Sequence, residues 1–211
     1  MKLYDYFRSS AAYRVRIAIN LKGLQPAREF VHLRKNAQRG DDYLALNPQG
    51  LVPALAADDG AVLTQSLAII EYLDELRPLP PLLPAAPVAR ARVRGIALEI
   101  ACDIHPLNNL RVLQYLKNEL GHSQDEVDAW YRHWISTGLP GLEAQAKARS
   151  GAFLFGDNPT AADVCLVPQL YNARRFDVPL GDFPTLLRAE ENANKLDEFA
   201  AAHPDRQEVP A

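Results

Sequence analysis

Four prolines fall within the eight residues Arg77-Pro78-Leu79-Pro80-Pro81-Leu82-Leu83-Pro84. No helix interior or central strand accommodates that density, because each proline fixes φ and removes a backbone donor. The run reads as a semi-rigid linker, so the chain is organised on either side of it. Before it, Leu3-Tyr4-Asp5-Tyr6-Phe7 and Phe30-Val31-His32-Leu33 have strand pattern. Tyr13 to Leu21, between them, has helical pattern with Val15, Ala18 and Ile19 on one face. Val52 to Ala56 and Ala61 to Leu63 flank Asp58-Asp59-Gly60, a hairpin signature. A helix from Ser66 to Leu76 follows, with Ser66 a favourable N-cap and Ile69, Ile70, Leu73 and Leu76 on one face. Beyond Pro87 the period is almost wholly helical. Ala89, Val93, Ile96, Ala97, Ile100 and Ile104 form one stripe, and Val127, Trp130, Tyr131, Trp134 and Ile135 another, with both tryptophans read as core. The expected organisation is an α/β domain over residues 1–79, a linker over 80–84 and an all-helical domain over 85–211.

At 211 residues and 48% hydrophobic content the chain can bury a substantial core. A net charge of −3 carries no basic excess, which argues against nucleic acid or a membrane surface as partner. Met1-Lys2-Leu3-Tyr4-Asp5 opens directly into strand pattern without a basic leader, and no apolar run approaches membrane-span length, so a soluble cytoplasmic protein is expected. Cys102 and Cys165 lie far apart in apolar helical contexts and read as reduced, buried thiols. The five histidines form no HExxH pair and no Cys/His array, so no metal is expected. Thr160-Ala161-Ala162-Asp163 is a capping pattern opening an apolar, central helix, and the residues from about His203 read as frayed.

Three short segments carry chemistry. Ser9 and Ser10 stand where the first strand gives way to a helix, so two hydroxyls meet the unpaired amides and positive dipole end that favour an anion, a thiolate included. Capping of the helix is the competing role for Ser9. Pro53 after Val52 is either cis, turning backbone groups of Val52 toward an extended peptide, or an ordinary trans edge-strand proline. Gln65-Ser66 at the next helix start either binds a carboxylate or simply caps. Arg8, Arg111 and Arg175 are singly unremarkable surface residue types, although guanidinium groups grip carboxylates bidentately.

Together these features resemble the glutathione transferase superfamily over the whole chain. More narrowly, Ser9-Ser10-Ala11-Ala12-Tyr13-Arg14-Val15-Arg16-Ile17 is similar to the zeta-class motif Ser-Ser-Cys-x-Trp-Arg-Val-Arg-Ile, departing from it at Ala11 and Tyr13. Gln65-Ser66-Leu67-Ala68-Ile69-Ile70-Glu71-Tyr72-Leu73 matches that class throughout, and Asn47-Pro48, Asp163 to Gln169 and Asn172-Ala173-Arg174-Arg175-Phe176 extend the likeness. The resemblance implies a thioredoxin-like α/β N-terminal domain, an all-α C-terminal domain, glutathione as cofactor and a homodimer. It implies Ser9, Ser10 and Arg8 as catalytic residues. Glutathione contacts are implied at Ser9, Ser10, Ala11, Gln38, Val52, Pro53, Gln65, Ser66, His105, Asn109, Leu110 and Arg111. Arg8, Arg111 and Arg175 are implied as ligands of a small dicarboxylate substrate. Ala11 in place of cysteine argues that a protein cysteine is dispensable and against mixed-disulfide chemistry. The implied reaction is glutathione-dependent cis–trans isomerisation of maleylpyruvate to fumarylpyruvate in the gentisate branch of aromatic breakdown. Maleylacetoacetate isomerisation, general glutathione transfer and a non-catalytic association domain are the alternatives.

Overall fold

The computed structural model describes residues 1–208. They pack as two units, Met1–Leu82 together with the segment from Lys195 onward, and Leu83–Asn194. The first unit runs β1 (Lys2–Asp5), α1 (Ser10–Leu21), β2 (Ala27–Phe30), α2 (Asp41–Leu46), β3 (Ala54–Ala56), β4 (Val62–Thr64) and α3 (Ser66–Leu76). Its sheet has the order β2-β1-β3-β4, with β1 and β2 parallel and β3 antiparallel to both of its neighbours. The hairpin closes as its sequence requires: Gly60 takes φ +89°, and Asp59 Oδ1 accepts the Ala61 N–H at 3.0 Å.

The second strand differs from expectation. Register with β1 pairs Lys2 with Ala27 through Asp5 with Phe30, so the strand is the exposed, polar Ala27–Phe30 rather than 30–33. The apolar run that suggested the later position is the strand's exit. Val31 is buried there with Tyr6, Tyr43 and Val52, and Leu33 packs against that cluster from a 3₁₀ turn. An edge strand needs no apolar alternation, which is why its composition misleads. Helix α1 differs too: instead of one buried face it is buried from Ala12 to Ile19, including Arg14 and Arg16. The proline-rich run begins under restraint, since Asp74 accepts from both Lys22 Nζ at 2.6 Å and the Leu82 N–H at 2.8 Å.

The second unit contains α4 (Pro87–Leu98), a π-helical stretch (Glu99–Ile104), a 3₁₀ turn (His105–Asn108), α5 (Leu110–Asn118), α6 (Gln124–Lys147), α7 (Ala161–Arg175) and α8 (Pro184–Asn194). Val93, Ile96, Ala97, Ile100 and Ile104 are buried as their stripe requires. Cys165 is buried, but Cys102 is exposed. Cys102 stands two residues from both Ile100 and Ile104, on the face opposite the buried stripe, so the helical period itself turns it outward although its neighbours are apolar. Trp130 and Trp134 are half-buried rather than fully enclosed, their rings edge to face at 5.6 Å, and Trp130 Nε1 donates to the Leu107 carbonyl at 2.8 Å. Amphipathic rings of this kind keep a polar handle within reach of a partner. Helix α7 is central and buried along nearly its whole length.

From Lys195 the chain belongs to the first unit, where the linker boundary alone assigns it to the helical domain. Helix α9 (Asp197–Ala202) packs on α1: Arg16 Nε donates to the Ala202 carbonyl at 3.0 Å and Asn20 Nδ2 to the Glu198 carbonyl at 2.8 Å. The tail is ordered past His203, whose Nδ1 accepts the Asp205 N–H at 3.2 Å while Gln207 Nε2 donates to the Ala201 carbonyl at 2.7 Å. The rest of the expected frayed end, 209–211, lies outside the described residues.

The Thr160–Asp163 capping pattern forms as expected. Asp163 accepts from Thr160 N at 2.8 Å, Thr160 Oγ1 at 2.9 Å and Leu154 N at 2.9 Å. Burial outweighs these donors and pushes its carboxyl from the ordinary 3.8 up to about 6. Between those values the folded chain holds a proton that the unfolded chain has released, so this group's contribution to stability falls as pH rises. The stability advantage of the native chain over Asp163→Asn, measured by urea unfolding, is expected to shrink by roughly 2 kcal/mol from about pH 4.5 to 6.5.

Candidate functional site

The site in the first unit is built around two helix starts. At the first, Ser9 is the N-cap of α1 with extended backbone, and its Oγ accepts the Ala12 N–H at 3.2 Å. A hydroxyl that accepts in this way still has its own proton to donate. The first turn of α1 contains no acidic side chain to offset the positive dipole end. Ser10 is the buried first residue of the helix, Ala11 is half-buried beside it, and Arg8 is exposed with its guanidinium 5.0 Å from the Phe7 ring centre.

At the second helix start, Gln65 takes φ +69°, a left-handed value unusual outside glycine, and its side chain makes no cap bond to α3. That side chain instead donates to Gln49 Oε1 at 3.1 Å. Ser66, buried, is the first residue of α3, and its Oγ accepts from Arg14 Nη1 at 3.3 Å. Uncapped amides and a hydroxyl thus share one helix end, the arrangement that suits a carboxylate.

Between the two helix starts, the loop before β3 is pinned at one carbonyl. Tyr43 Oη donates to the Leu51 oxygen at 2.7 Å and Asn47 Nδ2 to the same oxygen at 2.8 Å. Burial pushes the Tyr43 phenol up to about 12, so it remains a donor throughout the neutral range. The next peptide, Val52–Pro53, is cis, and both residues are buried. Gly50 has φ +61°, and a Cβ there would stand 3.0 Å from the Gln38 carbonyl oxygen and 2.9 Å from Arg39 Nη1, so only glycine lets this loop close on the 3₁₀ turn 37–39. Gln38 is buried in that turn, and its Oε1 has no hydrogen-bond partner among the described residues.

The remaining expected residues belong to the helical unit. His105 opens the 3₁₀ turn after the π stretch. Asn109 is the N-cap of α5, its Oδ1 accepting the Arg111 N–H at 3.2 Å, with Leu110 and Arg111 exposed in the first turn. Arg175 ends α7, exposed, with its guanidinium 5.8 Å from the Tyr171 ring centre and 5.7 Å from that of Phe176. Phe176 in turn stacks on Tyr131 at 3.6 Å.

Sequence reading missed the parts played by Arg14, Tyr43 and Gln49. For Arg14 a signal was present, because an arginine inside an otherwise apolar helical run needs a buried partner. For Gln49 there was none: its pairing with Gln65 is made only when the loop folds.

A mixed four-stranded sheet with a serine at two of its helix starts, followed by an all-helical unit, defines the glutathione transferase architecture. The chain matches the family models for the glutathione S-transferase N-terminal domain over residues 8–76 and C-terminal domain over residues 125–203. It is 49% identical over 209 residues to the maleylacetoacetate isomerase of Pseudomonas aeruginosa, covering 98% of this chain and 97% of the relative. The holo structure of a maleyl pyruvate isomerase, described as a bacterial zeta-class glutathione S-transferase, aligns at TM-score 0.96 with 45% identity over 100% of both chains. A maleylacetoacetate isomerase from Methylobacterium extorquens AM1, solved with malonate and glutathione bound, aligns at TM-score 0.96 with 43% identity over 100% of both. The chain belongs to the glutathione S-transferase family, in its zeta class.

Proposed function

We propose that this chain is a glutathione-dependent cis–trans isomerase acting on maleylpyruvate and releasing fumarylpyruvate, a step in the breakdown of aromatic acids. The observation that carries the reading is Ser9 at the start of α1, its oxygen engaged by Ala12 and its proton left to donate. When bound, glutathione would supply a thiolate for reversible addition at the cis double bond, the chemistry that allows rotation there and leaves the thiol unconsumed. The residues present fit that cofactor. Ser9 donates to the sulfur, Ser10 and the α1 dipole hold negative charge there, and both effects lower a thiol from its free value of about 8.5. Ser66 and the first-turn amides of α3 hold the γ-glutamyl carboxylate, with Gln65 beside them. The buried, unpartnered Gln38 Oε1 is a ready acceptor for a cofactor amide.

Arg8, Arg111 and Arg175 hold the substrate carboxylates and stabilise the enolate charge that develops on the keto acid. Arg8 and Arg175 suit the task because flanking aromatic rings orient their planar groups before the ligand arrives. Relatives carrying the maleylpyruvate and maleylacetoacetate names stand at 47% and 49% identity over nearly the whole chain, which does not separate the two substrates; maleylacetoacetate is the second reading.

The chain also acts as a homodimer in this proposal. The outer face of α4 and the π stretch exposes Val88, Gly95 and Leu98, apolar or small, beside a 470 Å³ cavity lined by Leu98, Glu99, Asp103 and Trp134. Arg90, Arg92 and Arg94 precede the acidic Glu99 and Asp103 along this run. Antiparallel pairing with a second copy sets opposite charges together, and an isologous interface requires that self-complementarity.

Purified protein is expected to convert maleylpyruvate to the trans product only with glutathione, which is conserved, and faster than it converts maleylacetoacetate. Conversion without glutathione overturns the thiolate mechanism, and faster maleylacetoacetate turnover selects the second reading. Ser9→Ala is expected to raise the pKa of the bound thiol, followed by thiolate absorbance, and to lower kcat roughly a hundredfold. Arg175→Ala is expected to raise KM for the dicarboxylate roughly tenfold while leaving conjugation of a neutral electrophile unchanged; equal loss on both returns Arg175 to a surface role. Sedimentation equilibrium is expected to give twice the chain mass for the native protein and a monomer for Leu98→Glu.

A further inference from the structure

Arg14 is not among the residues that meet the thiol or the substrate carboxylates in this proposal. It sits in α1 at 1% exposure, and its Nη1 donates to Ser66 Oγ at 3.3 Å, joining α1 to the start of α3. A serine hydroxyl has one proton and two lone pairs, whereas a guanidinium has donors only. The Ser66 oxygen therefore accepts in this contact, and its own proton is directed to some other acceptor. The amides of the first α3 turn are donors on the same helix end, since the Gln65 side chain does not cap them. Charge withdrawn from water acts on its neighbours with little screening by salt, so the guanidinium also raises the positive potential behind those donors.

We infer that Arg14 is a positioning residue for the γ-glutamyl carboxylate of glutathione. It occupies a lone pair of Ser66 so that the hydroxyl is a dedicated donor, and it places fixed positive charge behind the α3 N-terminus. The inference rests on the reading of Ser66 as the carboxylate site. It assigns Arg14 to affinity for one end of the cofactor, whereas Ser9 acts on the sulfur. Lysine at this position keeps charge and donor but lacks the planar fork, so it replaces the function in part.

Two thiols separate this role from a structural one: glutathione, and γ-aminobutyryl-cysteinylglycine, which lacks only the γ-glutamyl carboxylate. Dissociation constants are read by isothermal titration calorimetry for the native chain, Arg14→Met, Arg14→Lys and Ser66→Ala. Arg14→Met is expected to weaken glutathione about tenfold and the analogue less than about twofold, with Arg14→Lys recovering part of the loss. Equal weakening of both thiols, or no weakening of either, overturns the inference. Should Arg14→Met not fold, Arg14→Lys is compared in native and Ser66→Ala backgrounds. Its effect on glutathione is expected to vanish without the Ser66 hydroxyl, and an undiminished effect overturns the inference. Ser66→Ala alone separates the two levels. If it weakens both thiols equally, the carboxylate reading of Ser66 fails and the inference with it. If it discriminates between them and the Arg14 variants do not, Arg14 alone is reassigned.

Discussion

The first unit depends on one buried guanidinium. Arg16, 4% exposed, donates to Asp5 Oδ1 at 2.8 Å, to the Phe7 carbonyl at 3.0 Å and to the Ala202 carbonyl at 3.0 Å. One side chain thereby joins β1, the turn leading to Ser9, α1 and α9. Desolvation lowers the Arg16 pKa from its ordinary value, and the adjacent Asp5 carboxylate is the chief force opposing that shift. Asp5 is itself buried and also takes an ion pair from Arg28, so neither charge is left uncompensated. Removing one partner from a buried pair of this kind typically costs about 3–5 kcal/mol, a large share of a domain's stability. That cost fixes where α1 begins, and hence where the Ser9 hydroxyl stands.

Both serine sites obey one rule. Ser9 accepts from the Ala12 amide and Ser66 accepts from Arg14, so each oxygen is engaged from within the fold and each hydroxyl keeps its proton as a donor. Capping and donation to a second group, which compete as explanations when the sequence is considered alone, do not exclude one another for a hydroxyl. The accepting contact sets the direction of the donating one. A helix N-terminus supplies the field, and the internal hydrogen bond supplies the aim.

Much of this was legible in the sequence because it is local. The proline run, the Asp-Gly hairpin, the Ser66–Leu76 helix and the Thr160–Asp163 capping box each follow from residues within a few positions of one another. The misplacement of β2 has the same origin: the apolar run from Phe30 resembles the start of a strand, yet register with β1 makes Phe30 its last residue and Ala27 its first. Cys102 faces outward because it lies two residues from Ile100 and Ile104, so an apolar neighbourhood misleads where the period of the stripe does not. Of the candidate site, the Ser9-Ser10 and Gln65-Ser66 pairs were visible as motifs. The Arg14–Ser66 and Gln65–Gln49 contacts were not, since 52 and 16 residues separate the partners and no period connects them.

The return of α9 to the first unit makes that unit discontinuous in sequence, with the entire helical unit inserted between its parts. During synthesis α1 leaves the ribosome long before Ala202 exists to accept from Arg16. At about 5–20 residues per second the delay is on the order of ten seconds. Through that interval the N-terminal segment lacks one wall of its core, and the buried face of α1 is open to water or to a chaperone. The α/β unit is thus completed only after the helical unit has been made, and Arg16 gains its third partner only once Ala202 is synthesised.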